Sequence, residues 1–222
     1  MNTSVINTAR LLGAGLRALL VLTVVTGIVY PLVVTGIAQG LFPGRANGSQ
    51  IEADGKVVGS SLIGQSYNLP LKEGQETPEP DLKWFQGRPA NGLGTNTVNT
   101  RYDLILSGAT NRSADNPELV RWVKDAKAAV VADNSVRGYT VDPADVPADA
   151  VTSSGSGLDP DISPAYADIQ VHRVAEKNGL PVDRVRHLVD EHTENRTLGF
   201  IGEPRVNVLE LNIALKELVA GR

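Results

Sequence analysis

The chain contains no cysteine. That excludes a disulfide framework, thiolate zinc and iron–sulfur ligation, and a thiol nucleophile. It also lacks the common catalytic signatures, with no Gly-x-x-x-x-Gly-Lys phosphate loop, His-Glu-x-x-His, Gly-x-Ser-x-Gly elbow or Ser-x-x-Lys pair. Positive charge is not in excess: 21 Lys and Arg face 25 Asp and Glu, a net of −4. Such a chain has no general attraction for nucleic acid. Histidine is scarce, at His172, His187 and His192. The last two are five residues apart and do not share a helix face, so the spacing points to solvated surface histidines rather than a metal site. No internal repeat occurs. A core for a domain of this size does not need disulfides.

What is present is strongly segregated. An uncharged run of 27 residues extends from Ala18 to Gly44. At ~1.5 Å rise per residue, about 20 of these cross the ~30 Å hydrocarbon layer, which predicts one transmembrane helix over 18–41. The rival reading is a cleaved signal peptide with Gly36-Ile37-Ala38 as the small-residue site, but its apolar region needs only ~7–15 residues. Arg10 and Arg17 precede the run with no acid beside them, whereas Glu52 and Asp54 soon follow Arg45. The charge bias therefore predicts a cytoplasmic tail over 1–17 and an outer domain over 45–222. Without the two tail arginines, 19 bases face 25 acids, so the outer domain carries −6. Within the span, Thr23 and Gly27, then Gly36 and Gly40, are small residues four apart, a spacing that admits a second helix closely. Pro31 predicts a bend at mid-membrane.

In the remaining chain, Val57 to Gln65 reads as a glycine-interrupted strand. Residues 70–116 are loop-rich, with apolar islands at Trp84-Phe85 and Tyr102–Leu106 that predict one or two strands. Asn116 as cap and Pro117 at the first turn open a helix to about Asn134; Ser163 and Pro164 open a second that ends at Gly179. Pro181 opens a third carrying Val182, Val185, Leu188 and Val189, and Asn207 caps a last helix that stops at Gly221. The expected class is α+β: one transmembrane helix, then a single exported domain with a helical C-terminal half.

Two local patterns invite chemistry. Residues 174–185 have the rhythm of a helix-turn-helix, but residues 164–196 hold five bases against six acids. A DNA-reading helix sits in a basic field, so a plain helix pair is expected. The Ser153, Gly155, Ser156, Gly157 and Asp159 loop is able to gather N–H groups around a nucleotide phosphate, or Asp159 and carbonyls around an ion. The competing reading is a scaffold turn ahead of the Ser163 cap, with Gly155 and Gly157 supplying positive φ. The residues by themselves give an anchored, acidic, exported domain without an active-site signature, open to an outer-face solute-binding module and an enzyme of unknown type.

Four segments together carry a family likeness: Val58 to Gln65, Trp84-Phe85-Gln86-Gly87-Arg88-Pro89, Val146 to Pro164, and Gly199 to Leu209. In this order behind one N-terminal span, they resemble the KdpC family, the third component of the Kdp-type potassium-transporting ATPase, over nearly the whole chain. The resemblance implies a small non-catalytic accessory protein beside the channel-like KdpA, the ATP-hydrolysing KdpB and the small KdpF. Potassium is then the transported ion, the bilayer is a partner, and nucleic acid is not. The resemblance also implies a catalytic chaperone that raises the ATP affinity of KdpB, with no firmly bound cofactor and ATP met only through the complex. The family's Ser-Gly-Gly-Ser-Asn turn stands here as Ser107-Gly108-Ala109-Thr110-Asn111, which departs from it at Ala109 and Thr110. No catalytic residue carries over.

Overall fold

The computed structural model describes residues 3–75, 78–89 and 107–221. The chain divides into two compact units, Met1–Gln50 and Ile51–Arg222.

In the first unit, α1 (Thr3–Val24) runs through a π-helical turn (Val25–Val29) into α2 (Tyr30–Leu41), followed by the short α3 (Pro43–Ala46). Ser4–Leu41 is the one helical stretch among the described residues that is long and apolar enough to cross a membrane. At ~1.5 Å per residue its 38 residues extend about 57 Å, well beyond a ~30 Å hydrocarbon layer, so the helix continues through the Arg10 and Arg17 segment expected as a tail. Pro31 has no N–H, and its ring crowds the carbonyl four residues back. The π turn lies directly ahead of it, where the Tyr30 N–H reaches Val25 O in place of the usual partner. The mid-span irregularity expected from Pro31 thus takes the form of a π turn.

The second unit mixes helices with very short strands. β1 (Gln50–Ala53) and β2 (Lys56–Ser60) form a two-stranded sheet. β2 ends at Ser60, earlier than the strand expected through Gln65. β3 (Asp161–Ile162), β5 (Arg205–Asn207) and β4 (Thr193–Glu194) form an antiparallel sheet in the order β3-β5-β4. Its centre is Val206, opposite both Ile162 and Thr193 and fully buried. Among described residues 70–116 there is no strand, and Tyr102–Leu106 lies outside the described residues.

The helices obey their local signals. The Asn116 side chain accepts from Glu118 N and Leu119 N to start α4 (Pro117–Asn134). Ser163 accepts from Tyr166 N to start α5 (Pro164–Asn178), and Asn207 accepts from Glu210 N to start α7 (Val208–Ala220). Gly179 closes α5 in the left-handed region at φ 58, with Leu180 N bonded to Ala175 O at 2.8 Å. Between them, α6 (Val182–Glu191) faces the core with Val185, Leu188 and Val189. The centre of the unit is α5, which packs on α4 and α6, while α6 also packs on α7. Eight of its residues are buried, among them Val171, Val174, Gln170 and Arg173.

His172 departs from the surface reading. It lies flat on Tyr139, with centroids 3.9 Å apart and 6° between planes, and burial holds its pKa below the usual value. His187 pairs with Glu191 at 3.2 Å, and the His192 ring meets Leu188 O at 2.9 Å. Among the described residues no group of three or more His, Asp or Glu is placed to hold a metal ion.

Candidate functional site

The segment Asp81–Pro89 crosses the second unit without joining a sheet, so its backbone polar groups need other partners. Side chains of two helices supply them. Gln170 of α5 accepts from Gln86 N at 2.7 Å and donates to Gln86 O at 3.0 Å. Asn212 of α7 accepts from Phe85 N and donates to Phe85 O, both at 2.9 Å. Each amide thereby imitates a neighbouring strand for one residue. Arg173 completes the clamp: its Nη1 donates to Leu82 O and Trp84 O, its Nη2 to Gln170 Oε1, and its Nε to Asn134 Oδ1. Phe85 is fully buried as a result. These clamping residues carry no sequence motif. The one signal they leave is a polar residue inside an apolar helix stripe, such as Asn212 between Leu211 and Leu215.

Arg88 emerges from the clamped segment and meets the Ser153–Asp159 loop. Its Nη1 lies 3.0 Å from Asp159 Oδ2, while Nη2 and Nε donate to Ser153 O and Thr152 O at 3.3 and 3.4 Å. The other Asp159 oxygen accepts from Asp161 N at 3.1 Å. The hydroxyls of Ser154 and Ser156 bind within the loop, to Asp159 N and Leu158 N. Gly157 is buried at φ 70, so the positive-φ requirement falls on it. Gly155 is not among the positive-φ glycines; it is exposed, and a Cβ there meets open space. That corrects the expectation that both glycines supply positive φ.

Three further segments close on the same loop. Gly64 N donates to Leu158 O at 2.8 Å, and a Cβ built on Gly64 would stand 2.5 Å from Asp159 O. Gly108 N and Ser107 Oγ both donate to Ser156 O, at 2.7 and 3.1 Å. Val208 N donates to Pro160 O at 3.0 Å, and Asn207 Nδ2 reaches Ser61 O and Asp161 Oδ1. From the upstream side of the loop, Asp149 holds the cap of α5 by accepting from Ser163 N at 2.7 Å and Ser163 Oγ at 2.9 Å. Gly64, Gln65, Gly87, Arg88, Gly157 and Asp159 enclose a cavity of about 30 Å³. That is room for water, while Arg88 and Asp159 also line an open groove of about 510 Å³ together with Asp149, Thr152, Ser163 and Arg205.

Residues 12–217 match the family KdpC, described as "K+-transporting ATPase, c chain". The chain belongs to the KdpC family. It is 86% identical over 220 residues to the "Potassium-transporting ATPase KdpC subunit" of Streptomyces coelicolor, covering 99% of this chain and 98% of that protein. It is 47% identical to the protein so named from Gemmatimonas aurantiaca, over 92% of this chain and 94% of the other. The protein so named from Caldanaerobacter subterraneus is 46% identical, over 89% and 90%.

Parts of all four stretches that carried the KdpC likeness meet near the Arg88–Asp159 pair: Gly64 of 58–65, Arg88 of 84–89, the Ser153–Asp159 loop of 146–164, and Arg205, Asn207 and Val208 of 199–209, whose Phe200 and Ile201 are exposed instead. Beside it Asp161 pairs with Arg205 at 3.1 Å; burial raises the Asp161 pKa, which Arg205 opposes. In the first unit, Gly36 and Gly40 lie in α2, where residues four apart share a face, and among the described residues nothing beyond the adjoining residues and the helix's own backbone comes within 4 Å of a Cβ on either. Gly27 lies inside the π turn and Thr23 at the end of α1.

Proposed function

We propose that this chain is the small non-catalytic component of an ATP-driven potassium importer. It works beside the channel-like KdpA, the ATP-hydrolysing KdpB and the small KdpF. The observation that carries this reading is the KdpC match over residues 12–217. The site geometry supports it. The donors and acceptors around Asp159 are spent on the chain's own groups, as a scaffold requires and a turnover site does not. The Ser153–Asp159 loop is accordingly a junction that sets the angle between the 84–89 segment and α5. An effect on ATP affinity would then pass through contacts between the proteins of the complex rather than through nucleotide held in this loop. Gly36 and Gly40 are the preferred face for close packing against a helix of a partner protein.

The reading is tested by uptake at low external potassium. Cells lacking this chain should lose that uptake, and the chain should restore it only when KdpA and KdpB are present. Restoration without them, or no loss on deletion, would remove the proposal.

The second unit is proposed to face outward, because Arg10 and Arg17 precede the span unopposed by acids. Protease added to intact spheroplasts is expected to remove a tag placed after the last residue. A tag that survives alongside a cytoplasmic control, while an outer control is cut, reverses the orientation.

A further inference from the structure

An open groove of about 390 Å³ runs along one stripe of α4, formed by Ala126, Ala129, Val130 and Asp133. These positions follow the helical repeat and share a face. The groove exists because two of them are alanine; Ala129 is exposed, and a longer side chain there would fill the space. Its volume is that of a small-molecule site. Two polar groups reach it without partners. Tyr166 of α5 is 5% exposed, and among the described residues nothing hydrogen-bonds its hydroxyl. That oxygen is not sealed from solvent as the unpartnered Tyr67 hydroxyl is, and the groove is where it opens. Asp133, half-buried, makes no hydrogen bond or close ion pair among the described residues and meets Arg173 only through space; burial raises its pKa. Asp133 is near enough to Tyr166 to oppose ionisation of its hydroxyl. Buried polar groups are ordinarily paired, so two left open on one groove mark the place of a ligand.

The surrounding charges decide the sign of that ligand. Arg88 lines the groove, but Asp159 holds it at 3.0 Å. The charge of Arg173 is opposed by Asp133 and Asp81, and Asp149 acts on Tyr166 as well. Two bases therefore face four acids, which disfavours an anion and favours a cation. A bare metal ion of the calcium kind takes six to eight oxygen ligands, whereas the groove offers one carboxylate and one hydroxyl over an apolar stripe. A primary ammonium donates three hydrogen bonds and carries an alkyl stem that suits the two alanines and Val130.

We propose that this groove binds a small primary alkylammonium, its ammonium donating to the Asp133 carboxylate and the Tyr166 hydroxyl and its stem lying on Ala126, Ala129 and Val130. The full chain in detergent is titrated calorimetrically with n-butylammonium and with 1-butanol, which matches its shape without the charge. The heat from protein-free micelles is subtracted. Butylammonium should bind about tenfold or more tightly than butanol, the worth of one charge-assisted hydrogen bond.

Asp133→Asn should lower the affinity for butylammonium about tenfold, and Tyr166→Phe, which keeps the ring, about threefold. Because Asp133 also faces Arg173, melting temperatures are measured alongside, and Ala129→Leu supplies an arm that does not touch the charges. It should abolish binding with the melting temperature unchanged, since the residue is exposed. Ala129→Leu decides the matter if Asp133→Asn does not fold. Butylammonium binding no tighter than butanol, its displacement by an equal concentration of potassium chloride, or wild-type binding by the Ala129→Leu chain or by a folded Asp133→Asn chain would each overturn the proposal.

Discussion

Arg173→Leu is expected to lower the stability of the second unit by about 3–5 kcal/mol, a large part of the ~5–15 kcal/mol typical of a domain. Arg173 is 1% exposed, and each of its hydrogen-bond partners is a neutral acceptor: Asn134 Oδ1, Leu82 O, Trp84 O and Gln170 Oε1. Burial lowers its pKa to about 10, opposed by Tyr166, Asp133 and Asp81, so it remains charged at neutral pH. Leucine fills much of the volume but leaves those oxygens buried without a donor, at about 1–3 kcal/mol each before relaxation. Lysine restores the charge but not the planar fork that serves several acceptors at once, so Arg173→Lys should fall between the two. At ~2–4 °C per kcal/mol for a domain of this size, the leucine variant should melt about 10 °C or more below the wild type. Thermal unfolding of the full chain in detergent, followed by Trp fluorescence, reads this directly. A midpoint within about 2–3 °C of wild type, the shift of a single kcal/mol, would show that the clamp is dispensable.

Gly64→Ala should destabilise by about 2–3 kcal/mol, because overpacking and loss of a backbone hydrogen bond act together. The added methyl carbon would stand 2.5 Å from Asp159 O, 3.2 Å from Asp159 C and 3.3 Å from Leu158 O. All three are backbone atoms, which have no rotamer to escape into. The segments must part, weakening the Gly64 N to Leu158 O bond and drawing Asp159 from Arg88. Gly59→Ala is the informative contrast: its Cβ meets the side chains of Gln65 and Leu209, which can turn aside. Gly155→Ala, facing open space, should stay within about 0.5 kcal/mol of wild type. Melting temperatures of the three variants should therefore rank Gly155, Gly59, Gly64 from mildest to most severe. A Gly64 variant as stable as the Gly155 variant would contradict the close approach of these backbones.

The features legible in the sequence are those whose energies arise between near neighbours in the chain. Asn116, Ser163 and Asn207 cap helices by bonding N–H groups two or three residues on, and Gly179 ends α5 because φ 58 suits a residue without Cβ. The uncharged run marks the one candidate span among the described residues by its length and apolar composition. The three-stranded sheet could not be read in this way. Its strands are two or three residues long, too short to show alternation, and Asp161 meets Asn207 across most of the C-terminal half. The Arg88–Asp159 pair joins residues 71 apart, and the clamp from Gln170 and Asn212 spans 84 and 127 residues. Those partners are chosen by how α5 and α7 bury their apolar faces, which brings one polar residue of each helix to the edge of a strandless segment. Local composition set the helices and the candidate span. Packing alone decided which loop Arg88 would meet, because that depends on the summed burial of helices distant in sequence.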